Sequence, residues 1–127
     1  MIRGKLNELV GSVFGLMSEW GDNSLEKSPH KASVNILAKT MLTVAMVKMK
    51  EDLSPELIKI LSDRNMAPWK RILILVYSMA TFGVNTMTDE AIIGMVPQMK
   101  TLQAKVEETI KEAEQLESKS VSDSDLS

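Results

Sequence analysis

A chain of 127 residues with 44% hydrophobic content can bury one core and is too short for two domains. Its net charge is −2 and its 15 lysines and arginines are spread along the chain, so it has no basic footprint for a phosphate backbone and nucleic acid is not an expected partner. The absence of cysteine excludes a disulfide, a thiolate metal ligand and a cysteine nucleophile, and agrees with an intracellular protein.

The opening MIRGKLNELVGSVFG mixes charges into its apolar residues and lacks a small-residue cleavage site, so no signal peptide is expected. From Ile2 to Trp20, the residues Leu6, Leu9, Val10, Val13, Met17 and Trp20 recur at spacings of three and four. This predicts an amphipathic helix. Gly11 and Gly15 lie one turn apart on it at a cost of about 1 kcal/mol each in helix propensity, which predicts close approach of a neighbouring helix. The polar stretch from Gly21 to Ser33 has Gly, Pro and no periodicity, so an exposed connection is expected there. It holds His30, the single histidine, which has no second histidine or cysteine with which to build a metal site.

Val34 to Lys50 predicts a second helix with Val34, Leu37, Ala38, Met41, Ala45 and Met49 on one face, broadened by Ile36, Val44 and Val47. Ser54, Pro55 and Glu56 then announce a short helix, with serine as N-cap, proline at the first helical position and an acid in the positive first turn. It should end in the turn from Ser62 to Asn65. The stretch Ile72–Val84 is almost wholly apolar or small. About 13 apolar residues fall short of the roughly 20 that cross a bilayer, so this predicts a central helix wrapped by others. After a turn capped by Thr88, Pro97 should end or kink the next helix, and a last amphipathic stretch runs to Leu116. A helical domain over residues 1–117 and a disordered, acidic, Ser-rich tail over 118–127 are expected, with no integral membrane anchor.

An enzyme would need a constellation of reactive groups, and the sequence offers no Gly-rich phosphate loop, no His/Glu metal spacing and no nucleophile beside a base. The chain is therefore expected to be no enzyme and to need no metal or cofactor. Ten methionines suggest a pliable core or an adaptable apolar binding surface.

The segment LIKILSDRNMAPWKRILILVYSMATFGV carries a more specific signal. It resembles the first homology region of the Bcl-2 family of apoptosis regulators, where a short helix ends in a Ser-Asp-like turn and an Asn-Trp-Gly-Arg-Ile motif opens a hydrophobic central helix. Ser62, Asp63, Trp69, Arg71 and Ile72 match that pattern, whereas Pro68 and Lys70 stand where the family has Asn and Gly. The order of elements from Ile2 to Leu116 is similar as well. The family's second motif is not recognisable in residues 105–116.

The resemblance implies an all-α, Bcl-2-like helical bundle around a central hydrophobic helix hairpin. It also implies an anti-apoptotic protein whose apolar groove takes the amphipathic helix of pro-apoptotic Bcl-2 proteins and so suppresses host-cell apoptosis. Short, divergent members resemble virus-encoded ones, iridovirus-like among them, which would place the protein in the host cytoplasm with peripheral attachment at mitochondria. Carried over residue by residue, Arg71 would clamp an aspartate of the ligand helix. Leu57, Ile60, Ile74, Leu75 and Ser78 would line the groove, Met41, Ala45 and Met49 its opposite wall, and Trp69 would be a structural plug beneath the motif. Plain core packing is the competing role of each apolar residue. Lys70, in place of glycine, implies a narrower choice of ligands.

A homodimer through the exposed groove or beside it belongs to the same expectation. Two other readings compete: a small membrane-permeabilising, holin-like protein with 72–84 in lipid, and an adaptor on the same fold with a filled, non-functional groove.

Overall fold

The structure, a computed structural model, describes the backbone of residues 1–126 and the side chains of residues 1–116. The chain is all-α, with helices α1 (Ile2–Asn23), α2 (Lys31–Lys48), α3 (Pro55–Leu61), α4 (Pro68–Thr86) and α5 (Asp89–Leu126), and a 3-10 turn at Leu25–Lys27. No strand occurs among the described residues. The tail expected at 118–127 falls outside the residues whose side chains are described.

Local chemistry sets several boundaries as the sequence predicts. The Ser54 hydroxyl accepts from the Leu57 N–H at 3.1 Å and Pro55 opens α3. The Asp63 carboxylate accepts from the Asn65 N–H at 2.9 Å in the turn that follows. Thr88 caps α5 through the Ala91 N–H at 3.2 Å. Pro97 does not end the helix, since α5 continues through it. Both Pro97 and its neighbour Gln98 are exposed, so the carbonyl left without its usual backbone donor one turn earlier can be served by water.

Interhelical bonds give the directions. Lys70 near the start of α4 meets Asp22 near the end of α1, and Arg3 at the start of α1 donates to the Val84 carbonyl near the end of α4, so these helices are antiparallel. Arg3 also pairs with Asp89 at 2.9 Å and Gln103 donates to Ser12 at 3.0 Å, which makes α5 parallel to α1. Helix α1 packs along both α4 and α5, and α4 packs along α2 and α3. The α4–α5 hairpin opens away from its turn; near that turn Ala80, Val84 and Met87 share a cluster with Ile92 and Val96.

Helix α4 contributes to all three core clusters. One holds Leu6, Val10, Val84, Ile92 and Val96, the second Leu25, Ala38 and Trp69, and the third Leu42, Leu61 and Leu75. The expectation that α4 would be wrapped on every side is nevertheless corrected. Val76, Met79 and Phe82 are exposed, because α1 covers one side, α2 and α3 cover another, and no further helix closes the rest.

The connection after α1 also departs from its expected exposed state. Gly21, Ser24 and Leu25 are buried, drawn in by the Trp69 ring. Gly11 and Gly15, expected to permit close helix contact, instead floor a shallow cleft beside Phe14, Leu73, Ile74 and Tyr77. A Cβ at Gly15 would meet nothing within 4 Å.

Candidate helix-binding groove

An open cleft of about 520 Å³ lies where the end of α2, the start of α3 and the second half of α4 meet. Met49, Leu53, Leu57, Met79 and Phe82 supply its apolar walls, and Asp52, Ser54 and Ser78 its polar points. The volume falls within the roughly 300–1,000 Å³ usual for ligand sites. The cleft opens at the N-terminal end of α3, beside the turn from Met49 to Ser54, while Leu61 at the other end is buried against Leu75 and Leu42.

Of the residues expected to form the groove, Leu57, Met49 and Ser78 line this cleft. Ala45 packs beside it in the core cluster of Leu42, Leu61 and Leu75, where Leu75 itself is buried. Ile60 and Met41 do not line this cleft. Ile60 is 37% exposed on α3, and Met41 is 47% exposed on α2. Ile74 does not line it either, since it faces α1 in the cleft floored by Gly11 and Gly15. At about 100° per residue, Ile74 stands some 60° round α4 from Arg71, whereas Leu75, Ser78 and Phe82 stay within about 40° of it.

That periodicity also shows what could have revealed Phe82, which the motif does not reach. Counting from Arg71 by four, seven and eleven reaches Leu75, Ser78 and Phe82, the stripe that borders the cleft. Leu53 and Asp52 precede the N-cap of α3 and carry no comparable sequence signal.

Arg71 is half-buried where α3 gives way to α4. Its Nε donates to the Met66 carbonyl at 3.0 Å and its Nη1 to the Leu61 carbonyl at 2.9 Å. It therefore closes the C-terminal end of α3, where carbonyls lack helical partners. Its Nη2 donors make no protein hydrogen bond among the described residues, which leaves two N–H groups for a carboxylate.

Trp69 is buried and fastened on four sides. Its backbone N–H donates to Asn35 Oδ1 at 3.1 Å and its Nε1 to Glu26 Oε1 at 2.7 Å. Its ring lies against Gly21, and Lys70 stands 5.7 Å from the ring centroid. Lys70 is itself held by Asp22 at 2.9 Å on the α1 side. It thus points away from the cleft, which removes the argument that it narrows ligand choice.

Glu26 joins these parts: Lys31 Nζ lies 2.7 Å from Oε2 while Trp69 holds the other oxygen. The hydrogen bond from Lys31, then that from Trp69, hold its carboxyl below the ordinary value near 4.5. A depressed carboxylate stabilises the folded state above its unfolded pKa, and that contribution is lost as pH falls through the lower folded value. The melting temperature of Glu26→Gln is accordingly expected to lie below wild type at neutral pH. The gap should close on acidification from about 4.5 downward, as checked by thermal unfolding across pH.

Comparison of the chain with protein-family models, with curated proteins and with solved structures gives no match. No group of acidic or histidine side chains suited to a metal is present among the described residues, and no helix of the described chain is long and apolar enough to cross a membrane.

Proposed function

We propose that the protein is a Bcl-2-like survival factor that sequesters the amphipathic helix of a pro-death protein in the cleft bounded by α2, α3 and α4. The observation that carries this reading is the place of Arg71 on the α4 stripe whose later residues, Ser78 and Phe82, line the cleft, its own guanidinium lying beyond that lining at the C-terminal end of α3. An arginine with two uncommitted N–H groups stands on the same α4 stripe as Ser78 and Phe82, about 10–17 Å along the helix axis. An amphipathic helix of two to three turns could place apolar side chains against Leu53, Leu57, Met79 and Phe82 while its carboxylate meets Arg71. The motif resemblance at Trp69, Arg71 and Ile72 supplies the family, the Bcl-2-like arrangement and the virus-encoded, host-directed role that go with the proposal.

Titration with a labelled pro-death helix peptide tests it. Saturable binding is expected, and Phe82→Ala should weaken it about tenfold or more without unfolding the protein, because Phe82 is 71% exposed. The clamp is best probed from the ligand side, since Arg71 also closes α3. A peptide with its aspartate changed to alanine should bind wild type about 1–3 kcal/mol more weakly, the value of a hydrogen bond to a charged group. Absence of any binding would remove the proposal altogether.

A further inference from the structure

Among the described residues, α2 carries five exposed large apolar side chains, more than any other helix. Ile36, Leu37, Met41, Val44 and Val47 are 47–74% exposed there. With Thr40 they fall within an arc of about 140° at 100° per residue, so they form one ridge instead of scattered points. The polar atoms on and beside the ridge are already consumed. Thr40 Oγ1 donates to the Ile36 carbonyl at 3.0 Å and Thr43 Oγ1 to the Lys39 carbonyl at 3.0 Å. The charges on α2 all have one sign, since it carries Lys31, Lys39 and Lys48 and no acidic residue in a chain of net charge −2. Lys31 is engaged by Glu26, while Lys39 and Lys48 have no ion-pair partner among the described residues.

We propose that this face of α2 docks the protein on an anionic lipid surface. A ridge is convex, and a convex apolar face between free lysines suits a deformable bilayer, whose acyl boundary receives the side chains and whose headgroups receive the ammonium groups. A partner helix needs a concave seat, and that seat lies at the α2–α3–α4 cleft. Docking would lay about 17 Å of α2, from Ile36 to Val47, along the membrane plane. Attachment is peripheral, as no described helix is long and apolar enough to span. The inference stands on α2 alone and does not require the cleft to bind a helix.

Co-sedimentation of the full chain with vesicles of phosphatidylcholine, with and without phosphatidylglycerol, provides the test. Binding is expected with phosphatidylglycerol, weakening as salt rises. Lys39→Glu with Lys48→Glu should reduce it by roughly fivefold or more for each lysine. Ile36→Ser with Val47→Ser should reduce binding at every lipid composition while leaving helical content unchanged, since both side chains face solvent.

A second readout is independent of these variants. Because the chain has no cysteine, a polarity-sensitive fluorophore on Val44→Cys reports this face alone, and a blue shift on adding anionic vesicles is expected. Equal binding to neutral vesicles, no binding, or binding indifferent to the α2 variants would overturn the proposal. So would a fluorophore shift that follows protein concentration without lipid, which would assign the ridge to a second copy, or one that appears only with an acidic helical peptide.

Discussion

Trp69→Ala is expected to cost about 3–5 kcal/mol of folding stability, enough to unfold much of a small domain at physiological temperature. The loss has two sources. Removal of the indole empties the space between Leu25, Ala38 and Gly21, which are contributed by three different parts of the chain. It also leaves Glu26 with Lys31 as its remaining partner, because the 2.7 Å bond from Nε1 disappears. Denaturant unfolding followed by circular dichroism measures the change. Trp69→Phe separates the parts, as it fills most of the volume but cannot donate to Glu26.

Gly21→Ala should be nearly as damaging, at about 3 kcal/mol, although alanine is the better helix former by about 1 kcal/mol. A Cβ at Gly21 would lie 2.3 Å from two carbons of the Trp69 ring and 2.9 Å from a third. The ring cannot retreat, being anchored by Glu26 at its edge and by Asn35 at its backbone. The mechanism is checked by a double-mutant cycle. In a Trp69→Ala background the cost of Gly21→Ala should vanish or reverse, and unfolding energies that merely add would show that the two residues act separately.

Much of the architecture was readable because its signals are local. The serine and proline that open α3, the Asp63 turn and the Thr88 cap each depend on groups within a few residues. The cleft was readable only in part. Leu57, Met49 and Ser78 follow from the motif resemblance and line the cleft, whereas Ile74 faces α1, a side that only the register counted from Arg71 distinguishes along an otherwise apolar helix. Orientation is set by distant partners: Gly21 and Glu26 turn Trp69 inward, and once that ring is fixed every later side chain on α4 has its direction. Exposed Ile36, Leu37 and Val47 illustrate the same limit, since hydrophobicity marks a face without telling whether this chain or another surface covers it.

Arg3 ties the first turn of the chain to the Val84 and Met87 carbonyls and to Asp89, across more than 80 residues of sequence. Helical bundles usually fold fast because their contacts are local. Here the turn between α4 and α5 is clasped by a residue more than 80 positions before it, and the contacts from Leu6 and Val10 to Ile92 and Val96 close over the same long loop. Helix α1 precedes α5 in the chain yet depends on it to bury Leu6 and Val10, which stay uncovered until that distant helix is in place. The docking of α1 against α5 is thus the step of this all-α fold that must close a loop of more than 80 residues.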